Sequence, residues 1–567
     1  MTEGAPDPPP DLEQALEHHR AGRLDEADAL YRAFRDIHPD HADALHLHGL
    51  LAHQRGAHDE AAARIRRAIA GCPNIPIYHV SLGDACRAAG EVAAATDAYE
   101  RALELAPGLV EAVNGLGLIA VATGALESAA DRFREAARLA PERGKLHFNL
   151  ANALLHIGAY EGADDAFVAA LDRQPDDADA LAGRGTIRRD LGDTPGAISF
   201  YRRALDARPG DGRLHSNLAV AIQQTGDLDG ALEHFDTAIA LAPDLAEAYK
   251  NRAMLLLLRG DFEAGFDGYE WRWRHTDPIN TKRPFPQPAW DGGPLDGKTL
   301  LAWGEQGIGD EIMFSSLVPE LEAAAAGCVL ECDRRLEPLF RRSFPRVTVV
   351  ARYDPPSAAA LASDIDLQCA TGDLCRWRRR HRRDFASPAA YLVADTERVA
   401  ALRARYDRLG AGLKVGIAWR SKTPVWGAIK TAKLDQWETV LSQPGAVFVN
   451  LQYGDCAAEL ARAEACHGVV VHHDDTVNQM ADLDAFAAQV AAMDLVVTTS
   501  NTTAHMAGAL GVPSLVLLAH VPDWRWQATG DAALWYPRVR LIRQPRPGCW
   551  AEALEVAGDA VAARIAG

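Results

Sequence analysis

This sequence lacks most of what a secreted, membrane-spanning or nucleic-acid-binding protein needs. Its start, MTEGAPDPPP, has no basic stretch and no apolar one, so residues 1–10 read as a frayed, disordered tail and not as a secretory signal. No apolar run reaches the roughly 18 residues needed to span a bilayer. The longest candidates, such as PSLVLLAHV, are strand-sized, so no transmembrane segment is expected. Nine cysteines among 567 residues form no CxxC pair and no Cys/His ligand spacing. An odd count without a framework indicates reduced thiols in a cytoplasmic protein. Positive charge is also short: 59 Lys and Arg stand against 78 Asp and Glu, a formal net charge of −19. That argues against a nucleic-acid partner, which a basic face would serve. No carboxylate pair has the spacing of a bound divalent metal. Apolar residues are not scarce: they make up 48% of the chain, enough for the three or four domains this length suggests.

What is present is a repeat. Gly22, Gly56, Gly90, Gly124, Gly158, Gly192, Gly226 and Gly260 step by 34, and so do Pro39, Pro73, Pro107, Pro141, Pro175, Pro209 and Pro243. Ala27, Ala61, Ala95, Ala129, Ala163, Ala197 and Ala231 keep the same period, each with a large residue four positions on: Tyr31, Ile65, Tyr99, Phe133, Phe167, Tyr201 and Phe235. That i, i+4 spacing puts both on one face of a second helix, where the small one lets two helices approach. The glycines end first helices and the prolines close second ones. This resembles the tetratricopeptide (TPR) repeat, over about residues 8–275, with seven full units and an eighth that changes partway. Such arrays usually hold another protein on a concave surface.

Asn149, Asn217 and Asn251 share one first-helix position expected to face that surface. An amide both donates and accepts, so a column of them suits the backbone of an extended acceptor peptide. A similar ladder occurs in the TPR arm of O-GlcNAc transferase. Here it is broken by Leu47, Ser81, Gly115 and Gly183. In the eighth repeat, Tyr269, Trp271 and Trp273 are too bulky for ordinary repeat positions and read as an aromatic plug against the next domain.

Residues 275–297 are rich in Pro and Gly and read as a linker. KTLLAWGEQGIGDEIMFSSLVPEL then reads as strand, glycine-rich turn and helix, followed by strands at CVLECD, VTVVA and IDLQCA. KVGIAWRSK begins a second series, continued by VFVNLQ, GVVVHH, DLVVTT, SLVLLA and VRLIRQ. Two βαβ series predict two Rossmann-like halves around a cleft. The last segment, WAEALEVAGDAVAARI, is an amphipathic helix able to cross back to the first half. The expected division is a TPR array over 11–274, a linker, a first half over 298–412 and a second over 413–567 that includes the terminal helix.

The segments WGEQGIGDEIMFSSLVPEL, VGIAW, LQYGD, TAHMAGALGVPSLVLL and PDWRW…WYP…RLIRQ, in that order across about residues 285–560, resemble the TPR-linked bacterial glycosyltransferases. Their catalytic half is of GT-B fold and similar to the lipopolysaccharide heptosyltransferases. The resemblance implies an inverting, metal-independent transferase, with acceptors on the first half and a nucleotide-sugar donor on the second. It also implies a base at Asp310 of GEQGIGD, a position that equally suits a helix cap. Gly307 and Gly309 would let backbone approach the substrates. SNTTAH (500–505) opens a helix whose free N–H groups favour the donor phosphate, helped by Thr502, Thr503 and His505. Arg420, Lys422 and Lys433 would supply positive charge, and Gln452 would reach the nucleotide. Where the heptosyltransferases carry Asp-Thr-Gly, this chain has Ser500, Asn501 and Thr502, so the donor need not be a heptose; a CMP-linked acidic sugar fits the lost charge. Trp524 and Trp526 read as hinge packing. RWRRRHRRD (376–384) reads as an exposed loop or helix face, with binding of nucleic acid or anionic lipid, or attraction of an acidic acceptor or donor, as the alternatives.

The expected function is transfer of a sugar to a Ser or Thr hydroxyl of a protein in the TPR groove. By analogy, flagellin suits the role, because a cytoplasmic fusion of TPR repeats and a glycosyltransferase is suited to modifying subunits before export. The alternatives are transfer to lipopolysaccharide or another envelope glycan, and a TPR scaffold without turnover.

Overall fold

The computed structural model describes residues 12–274, 281–385, 388–421 and 427–567. The expected tail, Lys422 and the start of the linker lie outside them. The chain divides into two compact units, 1–191 with 199–209 and 192–198 with 210–567.

Sixteen helices run among the described residues from Leu12–Arg20 to Phe262–Tyr269, paired as in Ala42–Gln54 with His58–Gly71. All eight periodic glycines are left-handed, with φ of 75° to 94°. That conformation lets the turn satisfy the helix's last carbonyls, as when Ala57 N–H donates to Ala52 at 2.9 Å. The seven periodic alanines and their seven large partners are all buried to within 1%. A second small position stands opposite: an added Cβ on Gly49, Gly83, Gly117 or Gly185 would lie 2.6–2.7 Å from Ile65, Tyr99, Phe133 or Tyr201. The interruptions of the asparagine column at Gly115 and Gly183 have the same cause. A Cβ there would lie 2.4 Å from Tyr99 and 2.2 Å from Phe167.

The second unit holds the last repeats and two wholly parallel sheets. The first contains β1 (Thr299–Trp303), β2 (Gly327–Cys332), β3 (Thr348–Ala351) and β4 (Leu367–Ala370), in the order β3-β2-β1-β4. The second contains β5 (Leu413–Ala418), β6 (Ala446–Asn450), β7 (Val471–His472), β8 (Leu495–Thr499), β9 (Ser514–Leu518) and β10 (Val539–Arg543), in the order β10-β9-β8-β5-β6-β7. Both have the Rossmann pattern, in which strand order reverses beside the first strand and opens a crevice at the carboxyl ends. Those crevices lie between β1 and β4 and between β5 and β8.

Residues 281–297 are irregular but pinned. Arg283 makes two hydrogen bonds to the buried Glu331, at 2.9 and 3.1 Å, and Trp290 N–H donates to Gln368 on β4 at 2.8 Å. The helix Trp550–Ala566 does not cross back to the first half. Its Trp550, Leu554, Ala557 and Val561 join the core of the second sheet with Val415, Trp419 and Trp437, because that face is the apolar one. Gly558 permits the contact: a Cβ there would lie 2.4 Å from the carbonyl oxygen of Thr439.

Candidate functional site

The two crevices face each other. After β1 the chain turns through Gln306, at φ 59°, into the short helix Ile308–Phe314 with Gly307 as its cap residue. Asp310 reaches back to Gly307 N–H at 3.4 Å, so the capping role is real, although the helix begins earlier than Glu311. Its other oxygen belongs to the second half. Arg525 Nε donates to Asp310 Oδ1 at 2.7 Å, and the pair is about 17% exposed on each side. Gly309 meets His505, whose Cδ2 would lie 2.9 Å from an added Cβ.

From β8 the chain enters the helix Thr502–Ala509. Free N–H groups were expected at its start, and two of them are taken. Asn501 Oδ1 accepts from Thr503 N–H at 2.9 Å and Ala504 N–H at 3.4 Å, while its amide donates to the carbonyl of Arg420 at 3.2 Å. Thr503 is fully buried and Thr502 only partly. Ser500 accepts from Trp526 Nε1 at 2.7 Å and donates to Asp523 Oδ2 at 3.3 Å. The carboxylate missing at position 500 is therefore supplied beside it by Asp523, and the lost-charge argument for an acidic sugar does not hold here.

Lys430 Nζ lies 2.8 Å from Asp523. Burial alone would raise the Asp523 pKa, yet Lys430 and Arg525 outweigh it and hold the carboxyl well below its usual range. Lys433 is exposed, and Lys430 takes the inner place. Arg420 pairs with Glu459 at 3.0 Å. Gln452 is fully buried, its carbonyl accepting from Trp419 N–H and Arg420 N–H at 3.0 and 2.9 Å, so it braces the turn after β5.

His505 is sealed by Trp526, stacked at 5.1 Å, and by Tyr536. Burial pushes the imidazole down to about 4, outweighing Asp310, so the ring is neutral at pH 7. Tyr391 has one hydroxyl proton and gives it to the carbonyl of Ile312 at 2.9 Å. Its oxygen then accepts from Tyr536, whose oxygen accepts from His505 Nδ1 at 2.8 Å. The network assigns the ring proton to Nδ1 and leaves Nε2 an acceptor on the Gly309 side. The expected donation from His505 to a phosphate is therefore replaced by acceptance, as from a hydroxyl.

Two cavities open on these elements. One of about 260 Å³ is lined by Gln223, Gln224 and Met254 of the repeats and by Lys430, Asp523 and Arg525. The other, of about 620 Å³, lies at the carboxyl ends of β2, β6 and β7, between Arg334, Asp455, His473 and Gln479. Gln479 is 8% exposed and its amide nitrogen has no protein partner.

The basic run is only partly a free charged face. Arg376 pairs with Asp267 at 3.1 Å and Glu270 at 2.9 Å, Arg380 pairs with Asp267 and Glu263, and the buried Arg379 pairs with Glu320 at 2.6 Å. Acidic residues of the eighth repeat take Arg376 and Arg380, while His381, Arg382 and Arg383 stay exposed. The aromatic plug divides. Tyr269 packs on Trp524 and Trp273 on Trp303, whereas Trp271 stacks on Tyr249 at 3.8 Å, within the repeats.

In the array, Asn149 donates to Asn114 at 2.9 Å, and Ser81 bonds His46 at 2.9 Å. Asn149, Asn217 and Asn251 are all partly exposed.

Sequence reasoning missed Arg525, Lys430, Asp523 and Tyr536. Arg525 sits in DWRW between two tryptophans whose apolar bulk drew attention to packing, and only spatial proximity to Asp310 reveals it.

Comparison with known proteins agrees on the first half of the chain. Tetratricopeptide-repeat models match residues 12–76, 65–110, 80–143, 114–164 and 148–212, and a second such model matches 188–255. The chain carries a tetratricopeptide-repeat array. TPR arrays of this kind bind proteins. Protein FlbA of Caulobacter vibrioides is 36% identical over 299 residues, 50% of each chain, so this chain spans half the length of that relative. Among solved structures, YrrB, described as a TPR protein with an unusual peptide-binding site, is 24% identical over 33% of this chain and 97% of its own, with a TM-score of 0.29. The pilF protein of Pseudomonas aeruginosa is 21% identical over 38% and 98%, with a TM-score of 0.34. At such scores these structures say nothing further about the chain. Among the described residues no helix is long and apolar enough to cross a membrane.

Proposed function

We propose that this chain is an inverting glycosyltransferase of GT-B type, moving a sugar from a nucleotide donor to a Ser or Thr hydroxyl of a protein held by the TPR array. One observation carries the reading: Asp310, at the crevice of one half, is set against Arg525 and His505 of the other. The hydroxyl oxygen attacks the anomeric carbon from the face opposite the phosphate, Asp310 takes its proton, and the bond to the phosphate oxygen breaks. Arg525 and Lys430 would meet the charge on the departing phosphate. A donor phosphate competes with Asp310 for Arg525, so donor binding would free the carboxylate to act. His505 Nε2 would accept from a substrate hydroxyl. The larger cavity is of the size usual for small-molecule sites, roughly 300–1,000 Å³, and would take the nucleotide, with Gln479 donating to it.

The smaller cavity, shared by Gln223 and Gln224 with Arg525, gives an acceptor segment a way from the last repeats to the site. Asn217 and Asn251 would hold its backbone, and flagellin remains the acceptor we favour. Charge does not select the sugar, because Asp310 and Asp523 balance Arg525 and Lys430, so the donor is proposed only as a nucleotide sugar.

The test is intact mass measurement of exported proteins from cells carrying wild type or Asp310→Asn. Regular mass increments lost in the variant would identify acceptor and sugar together. Unchanged protein masses, with the variant folded and expressed, would overturn transfer to protein and point to an envelope glycan or a scaffold.

A further inference from the structure

In an open α/β sheet the crevice at the carboxyl ends is where a ligand binds. In the first sheet that place is filled by the eighth repeat. Arg272, 1% exposed, lies between the rings of Tyr269 and Trp273, at 4.3 and 4.1 Å. Its guanidinium bonds Glu305 at 2.9 and 2.6 Å, beyond β1, and Asp373 at 2.6 Å, beyond β4. Trp273 Nε1 also donates to Asp373, at 3.0 Å.

The anchoring continues to the candidate site. Gln306 and Gln527 are the two non-glycine residues at positive φ among the described residues, both at 59°. Such residues persist where their surroundings over-determine them. Both are held by the eighth repeat. Gln306 donates to the Tyr269 hydroxyl at 2.7 Å and accepts from Arg525 at 3.4 Å. Gln527 donates to the carbonyl of Leu257 at 3.2 Å, and Ala528 N–H donates to Leu258 at 2.8 Å. Gln306 lies just before Asp310 in sequence and Gln527 just after Arg525.

We propose that the eighth repeat positions the candidate site: Tyr269 and the end of helix Ala246–Arg259 hold Gln306 and Gln527 so that Arg525 is aimed at Asp310. Tyr269, Gln306 and Gln527 are positioning residues, and the eighth repeat is part of the site rather than a detachable binding module. The consequence for turnover rests on the transferase reading; the consequence for geometry does not.

The test uses the full chain with Gln306→Gly, Gln527→Gly and Tyr269→Phe, beside Asp310→Asn. Glycine adopts the left-handed turn freely, so the two glycine variants remove the side-chain tethers, keep the turn and leave the main-chain bond from Ala528 to Leu258 in place. Tyr269→Phe keeps the ring and removes one hydroxyl. We expect melting temperatures equal to wild type or higher, faster amide hydrogen exchange over residues 304–312 and 523–528, and glycan occupancy on exported proteins about tenfold lower. Unchanged exchange in all three variants overturns the proposal, whatever the occupancy. Wild-type occupancy in the three, with Asp310→Asn devoid of glycan, overturns the positioning role while sparing the transferase reading. Masses unaltered by Asp310→Asn overturn transfer to protein, and the exchange data then decide positioning alone.

Discussion

Arg525 and Asp310 lie 215 residues apart in sequence, yet the guanidinium Nε donates to the carboxylate at 2.7 Å. The pair joins the crevice of one sheet to the loop after β9 of the other. It is one of several ion pairs between the two halves, beside Arg403 with Asp494 and Arg405 with Asp474, and the one that lies at the candidate site.

Arg525→Met strands Asp310 beside Asp523. Removing one member of a fully dry ion pair costs about 3–5 kcal/mol. With 17% of each side chain exposed, about 2 kcal/mol is expected, read as a lower urea midpoint. Transfer should fall by about 10²-fold or more, as for loss of a charge-stabilising donor. Wild-type transfer in a folded Arg525→Met protein would remove Arg525 from the mechanism.

Gly309→Ala places a methyl 2.9 Å from His505 Cδ2. The ring cannot retreat, being stacked on Trp526 and bonded to Tyr536. Overpacking of this kind costs about 1–3 kcal/mol. We expect a lowered melting temperature and a larger loss of transfer than of stability. A neutral outcome in both would show that the halves can separate without cost.

Two buried groups beside the site give opposite pH slopes. Burial raises the Glu311 pKa to about 7 against the opposing pull of Arg352. Between about 4.5 and 7 the folded state then binds the extra proton, so this contribution is full below 4.5 and is lost as pH rises through 7, by about 3 kcal/mol. His505, lowered to about 4, acts the other way: its contribution is present above 6.5 and lost as pH falls toward 4. Urea unfolding from pH 4 to 8 should show Glu311→Gln losing the falling slope and His505→Gln losing the rising one. Parallel curves for wild type and either variant would refute that assignment.

Arg272→Met leaves Glu305 buried without its partner and should cost about 3–5 kcal/mol in urea unfolding. Adding Glu305→Gln should recover part of that loss, because the uncompensated charge is gone. If the double variant is no more stable than the single one, the cost lies in packing against Tyr269 and Trp273.

The repeats were legible because each obeys local rules. A glycine at positive φ, a closing proline and an alanine four residues before a ring act within one helical hairpin, so periodicity exposes them. The strands were legible as short apolar runs, and the loops holding Asp310 and Ser500–His505 as the segments that follow them. What stayed hidden depended on partners distant in sequence. The N–H groups at the start of the Thr502–Ala509 helix were open in principle, and Asn501 closes those of Thr503 and Ala504. Lys433 and Lys430 differ by less than a helical turn, and only packing decides which faces Asp523. Arg376 and Arg380 of the basic run looked free until the acidic face of the eighth repeat met them.

The sequence by itself determined the repeat array, the two parallel sheets and the loops at their carboxyl ends, since backbone conformation and apolar period are properties of neighbours along the chain. Tertiary structure alone decided that Arg525 meets Asp310, that His505 is neutral with its proton on Nδ1, and that Arg272 fills the first crevice. Charge, protonation and access depend on what burial brings within a few ångströms, and that is set by the fold as a whole.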